Sequence, residues 1–264
     1  MSRIEKLFSE RQKNILNVYC TAGYPELDST VEVLLALQDH GADLVEIGIP
    51  YSDPLADGPV IQESNMTALK NGMSIQTLFQ QLSSLKKINS ASVDGGFHLP
   101  LILMGYLNPV MQYGFEKFCM DAKAVGVDGI ILPDLPLHEF ETEYKNIFQE
   151  NQLDFIFLIT PETSEERIKR IDELSTGFIY AVSSSSTTGK DTDLTLRQNY
   201  FQKLRQMKLK NPVLVGFGIK DKQTFNIACE FTNGAIIGSA FIKALQNSTD
   251  INAATEKFLN KILK

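Results

Sequence analysis

The chain has 264 residues, 43% of them hydrophobic, and a formal net charge of -7. That length buries a core as one large α/β domain or two smaller ones, and an acidic balance without a basic cluster argues against a nucleic-acid binder or a membrane-surface protein. Three cysteines (Cys20, Cys119, Cys229) and three histidines (His40, His98, His138) are scattered without metal-ligand spacing, so the reading is reduced thiols in a cytoplasmic protein and no metal site.

The N-terminal stretch 3–13 is charged and amphipathic, unlike a secretory signal, and no apolar run approaches the roughly 20 residues that span a bilayer. Short apolar runs then recur at 17–21, 44–49, 101–106, 127–132, 155–160, 178–183, 213–217 and 235–238. Most lack polar alternation, as expected of parallel strands covered on both faces. Amphipathic segments lie between them. The pattern predicts helices over 29–40, stopped by Gly41, over 62–70 and 74–85 as two pieces broken near Gly72, and over 115–125, 137–151, 164–174, 194–208, 221–231 and 253–263. Eight strands alternating with helices predict a single (β/α)8 TIM barrel over residues 1–264, with an extra N-terminal helix capping its bottom. An open doubly wound sheet is the rival; the count of eight and the lack of a GxGxxG after the first strand weigh against it.

Chemistry in such a barrel belongs in the loops after the strands. The second run, LVEIGI, holds one acid, Glu46, and runs into PYSDPLADGP, which carries Asp53 and Asp57. A carboxylate among apolar residues is costly unless paired, hydrogen-bonded or protonated. Glu46 and Asp57 make a plausible two-carboxylate acid–base site. On the spacing alone the ordinary reading is an edge-strand or ion-paired Glu and a turn-forming Asp. The strand-4 loop is Pro133–Asp134–Leu135–Pro136. Strand 6 is followed by a small, polar run, 183–191, which reads either as a linker or as a lid over phosphate. GFG at 216–218 and GSA at 238–240, ahead of a short helix at 241–245, sit where this barrel class holds phosphate. They would let an acidic chain bind a dianion through backbone amides.

Read together, LVEIGIPYSDPLADGPVIQ at 44–62, LILMGYLNPVMQYG at 101–114, VDGIILPDLP at 127–136, GFGI at 216–219 and IIGSAFIK at 236–243 resemble the tryptophan synthase alpha subunit. The resemblance implies a lyase that cleaves indole-3-glycerol phosphate, by a retro-aldol reaction, into indole and glyceraldehyde 3-phosphate for tryptophan biosynthesis. Glu46 and Asp57 fall on its catalytic acids. Tyr180 falls on its active-site tyrosine, with Tyr19 and Tyr106 lining the indole pocket. Thr188, Gly189, Phe217, Gly218, Gly238 and Ser239 match its phosphate-binding positions. The family often has GVTG after strand 6; here SSSSTTGK stands there, with Ser186 in place of the first glycine. The family works as an α2β2 heterotetramer with a beta subunit that carries pyridoxal phosphate, and Asp53, Asp134 and Pro136 fall where it meets that partner. No cofactor is expected in this chain. Alternatives are another phosphate-binding barrel of amino-acid biosynthesis, a stand-alone indole-3-glycerol phosphate lyase, and a barrel that mainly activates a partner.

Overall fold

The computed structural model describes residues 1–91, 96–182, 194–216 and 218–264. Its strands are β1 (Ile15–Thr21), β2 (Leu44–Gly48), β3 (Leu101–Met104), β4 (Gly129–Ile131), β5 (Asp154–Phe155), β6 (Leu158–Ile159), β7 (Ile179–Val182), β8 (Val213–Gly216) and β9 (Gly234–Ile237). All their pairings are parallel, in the order β5-β4-β3-β2-β1-β9-β8-β7-β6. The two ends of that order belong to one extended segment, 154–159. Its first half pairs with β4, and the Ile156 N–H donates to the Ile130 carbonyl (3.1 Å). Its second half pairs with β7, and the Phe157 carbonyl accepts from the Tyr180 N–H (3.0 Å). The segment therefore closes the sheet on itself, and β5 and β6 are two pieces of the single fifth strand expected at 155–160. The protein is a (β/α)8 TIM barrel.

The helices are α1 (Arg3–Glu10), α2 (Ser29–Asp39), α3 (Pro59–Lys70), α4 (Ile75–Ala91), α5 (Leu107–Tyr113), α6 (Phe115–Ala124), α7 (Leu137–Glu139), α8 (Lys145–Glu150), α9 (Glu165–Leu174), α10 (Leu194–Met207), α11 (Lys222–Phe231), α12 (Ser239–Leu245) and α13 (Ile251–Leu263). Two differ from expectation in kind, and the helices predicted over 62–70 and 74–85 run longer, Pro59–Lys70 and Ile75–Ala91. The segment predicted as one helix over 137–151 is interrupted by a π turn, Phe140–Tyr144. Helix α5 was hidden by Asn108–Pro109, which reads as a loop. The proline occupies the first turn, where its missing N–H has no intrahelical acceptor to lose.

Side chains alternate along each strand. Val45 and Ile47 face the outer helices, whereas Leu44 joins Ile15, Ile102, Ile131, Ile156, Leu214 and Ile236 inside the barrel. The same alternation turns Asn17 and Tyr19 of β1, Glu46 of β2 and Tyr180 of β7 inward.

Helix α1 plugs the bottom, as predicted. Ser2 and Glu5 form a reciprocal capping box, and Ile4 and Phe8 enter the interior cluster. Arg3 clamps it there. Its guanidinium pairs with Asp128 (2.8 Å), a buried carboxylate that also accepts the Leu101 N–H (2.8 Å), and it donates to the Gly126 carbonyl (2.5 Å). Arg3→Ala leaves Asp128 without its cation and is expected to lower the unfolding free energy by about 1–3 kcal/mol. Urea denaturation of wild type and variant measures it; no change in midpoint would mean that the clamp is dispensable.

Candidate active site

Glu46 lies mid-strand on β2, opposite Tyr19 of β1 and Ile102 of β3. Its side chain is fully buried. Among the described residues one hydrogen bond reaches it, from the Asn17 side-chain amide to Oε1, and Oε2 has no partner. Burial pushes the carboxyl up to about 8, and the Asn17 bond works against that rise. The group thus stays protonated near neutrality.

Asp57 is only half-buried, in the loop between β2 and α3. Its backbone N–H donates to the Pro54 carbonyl (3.0 Å), and the Gln62 amide caps its carbonyl (2.9 Å). The Tyr106 hydroxyl donates to Oδ2 (3.3 Å) and accepts from the Ala56 N–H (3.1 Å), so one phenol ties both the loop and its acid. Asn65, buried on α3, lies beside the carboxylate. Burial raises this carboxyl to about 6, and the Tyr106 hydroxyl and the Asn65 side chain oppose it. Asp57 is therefore an anion at a pH where Glu46 is an acid.

Two tyrosines complete the cluster. Burial raises the Tyr19 and Tyr180 phenols well above their ordinary value, and the negative charges of Glu46 and Asp57 add to it. Both remain neutral. Each is matched by a glycine: a methyl at Gly48 would overlap the Tyr19 hydroxyl, and one at Gly216 would overlap that of Tyr180. Gly48→Ala is expected to displace Tyr19 at about 1–3 kcal/mol and to raise KM for substrate more than it lowers kcat; steady-state kinetics separate the two. An unaltered KM would remove Tyr19 from the pocket.

Gly218 follows β8 with φ +78°, a left-handed conformation suited to glycine. Gly238 follows β9 and precedes α12, which begins at Ser239, two residues earlier than predicted. Ser239 is exposed. Thr188, Gly189, Phe217 and the 183–191 run lie outside the described residues. Asp53 is exposed and accepts from the Ser52 hydroxyl (2.6 Å). Asp134 is exposed and accepts the Leu107 N–H (2.9 and 3.0 Å), capping α5, while Pro136 is exposed at the start of α7. These three stand on loops at the same end of the barrel, Asp53 on the loop that also carries Asp57.

Two polar residues at the acids were not anticipated. Asn17 carried a signal, a polar residue at the inward position two before Tyr19 in an otherwise apolar run. Asn65 carried none in the sequence.

The family model described as tryptophan synthase alpha chain matches residues 6–263. The chain belongs to the tryptophan synthase alpha chain family. It is similar to the alpha chains of Phocaeicola vulgatus (48% identity, 100% of this chain and 98% of that one) and Parabacteroides distasonis (50% identity, 99% of each). Its fold matches the crystal structure of the tryptophan synthase alpha chain from Legionella pneumophila, with a TM-score of 0.86, 33% identity, and coverage of 99% of this chain and 96% of that one. The tryptophan synthase A-subunit of Pyrococcus furiosus gives 0.84 and 34% identity, with coverage of 96% and 99%. As a tryptophan synthase alpha chain this barrel is a lyase that cleaves indole-3-glycerol phosphate in tryptophan biosynthesis. The alpha-chain family implies a beta-chain partner. Among the described residues no helix is long and apolar enough to cross a membrane, and no group of three His, Cys, Asp or Glu is placed to hold a metal ion.

Proposed function

We propose that Glu46 is the proton shuttle of the cleavage and that Asp57 is its electrostatic partner. The supporting observation is the contrast between the two acids, one fully buried and raised to about 8, the other half-buried and raised to about 6. Environments that separate two carboxyls in this way assign one to acid and the other to anion.

Glu46, protonated, donates to C3 of the indole ring, and the ring becomes an indolenine-like cation. The resulting carboxylate takes the proton of the substrate's glycerol hydroxyl. Its oxygen closes to the aldehyde, the carbon–carbon bond breaks, and the bonding pair returns to the ring. Indole and glyceraldehyde 3-phosphate leave, and Glu46 is again protonated. Asp57 as an anion stabilises the positive charge at the indole N–H. Tyr19, Tyr106 and Tyr180 line the indole pocket. Gly218, Gly238 and Ser239, with Thr188, Gly189 and Phe217, hold the phosphate, for which glycine backbone and the start of α12 are suited.

Residues 1–264 act as one domain in this reading. The chain works in the cytoplasm within an α2β2 heterotetramer whose beta subunit carries pyridoxal phosphate, and Asp53, Asp134 and Pro136 face that subunit. Family membership supports the partner, and the exposure of the three residues is compatible with it. Indole release from indole-3-glycerol phosphate by the purified chain, alone and with a beta subunit, tests the reading. Weak activity that rises sharply with the partner is expected. Strong activity without response would make it a stand-alone lyase, and no cleavage in either state would leave it an activator.

A further inference from the structure

Two buried polar atoms without a protein partner lie in one side-chain pair at the centre of the barrel, Glu46 Oε2 and Asn17 Oδ1. Both residues are fully buried, and such orphans cost folding free energy. The amide is oriented with Nδ2 on Glu46 Oε1. Turned over, the amide would meet Oε1 with its oxygen and could be bridged only by the carboxyl's own proton, whereas Nδ2 toward the acid serves both the neutral and the ionised carboxyl.

An N–H on Oε1 already uses that oxygen as an acceptor, which makes Oε2 the better place for the carboxyl proton. From this geometry we infer that Asn17 is a positioning residue for the reaction, directing the exchangeable proton of Glu46 to Oε2, the oxygen without a partner among the described residues. The inference rests on Glu46 being the proton shuttle. It assigns the orphan oxygen a use, and the same bond holds the carboxyl in one rotamer through both protonation states, since a neutral carboxyl and a carboxylate both accept at Oε1. Asn17 touches neither substrate nor reacting atom; it acts through Glu46.

The other ionisable groups around Glu46 are few. Tyr19 and Cys20 come from β1 and Tyr180 from β7, and each feels its charge. Asp57 approaches from the loop between β2 and α3, close enough to act on both tyrosines. Strands β3, β4, β8 and β9 bring no ionisable side chain. Asn17 is thus the only hydrogen-bond donor on the acid among the described residues, and its removal leaves the anion less stabilised.

The test is the pH profile of kcat for Asn17→Leu beside wild type and Glu46→Gln. The apolar replacement of similar size is expected to move the alkaline limb to higher pH by about one unit and to lower kcat about 10-fold with KM within about 2-fold. An unmoved limb in a folded, less active Asn17→Leu would overturn the inference and make Asn17 merely structural. Full activity in Glu46→Gln would instead overturn the reading of Glu46, so the two failures are distinguishable. A second measurement needs no folded Asn17 variant. With 15N-labelled asparagine side chains, one NH2 pair of wild type should titrate at the midpoint of the alkaline limb and lose that titration in Glu46→Gln. If every asparagine side chain is indifferent to that titration, the inference is overturned as well.

Discussion

Glu46→Gln is expected to lower indole release from indole-3-glycerol phosphate by about 10²–10⁴-fold, the usual worth of a positioned general acid–base. Substrate binding should hold, because the amide keeps the size of the acid and still accepts from Asn17. The same variant should be more stable than wild type in alkaline solution. In the unfolded chain the Glu46 carboxyl titrates near 4.5, and in the folded chain near about 8. Below the lower value both states carry the proton and the group does not oppose folding. Between the two, the unfolded chain releases the proton and the native state keeps it, so wild-type stability falls as pH rises; above about 8 the loss is complete. Gln never ionises and escapes it. Urea midpoints should therefore coincide near pH 4.5 and diverge in favour of Glu46→Gln toward pH 9, by an amount on the order of a few kcal/mol. A gap that does not change with pH would show that Glu46 is not a buried acid of raised pKa.

The second large effect is expected at Asp57. Asp57→Asn keeps the shape of the side chain and an acceptor for the Tyr106 hydroxyl but removes the charge, and should lower kcat by about 10²–10³-fold, as when a preorganised electrostatic group is lost from an active site. Its signature is in the pH dependence. Wild-type activity should be bell-shaped, rising through about 6 as Asp57 ionises and falling through about 8 as Glu46 loses its proton. In Asp57→Asn the acidic limb should vanish while the alkaline limb remains. Measuring kcat between pH 5 and 9 for both proteins decides it; an acidic limb that survives the substitution belongs to another group.

These two acids also mark how far the sequence could be read. Glu46 was legible because it interrupts an apolar strand, where a charge is costly and needs a reason. Asp57 was legible only through the resemblance of PYSDPLADGP to the alpha-subunit signature, since an acid among Pro and Gly is ordinarily a turn former. The barrel followed from apolar runs and intervening helices. Three local features did not. The break of the fifth strand into Asp154–Phe155 and Leu158–Ile159 arises because one half pairs with β4 and the other with β7 as the barrel closes. Helix α5 was masked by a proline that is harmless in a first turn. The π turn at Phe140–Tyr144 has no sequence mark that we can identify.

The sequence by itself determined the alternation of eight strands with helices and the pair of acids. Apolar runs, helical periodicity and the cost of a charge in an apolar run are local rules that need no partner in space. Only the tertiary structure decided what each acid is. The parallel pairing of β1 with β2 brings Asn17 to Glu46 and leaves the second oxygen without a partner among the described residues, and the loop between β2 and α3 carries Asp57 under the Tyr106 hydroxyl. Those contacts join residues far apart in the chain, Asn17 to Glu46 and Asp57 to Tyr106. Desolvation and hydrogen bonding are set by such neighbours, so the division of two carboxyls into an acid and an anion is a property of the folded barrel.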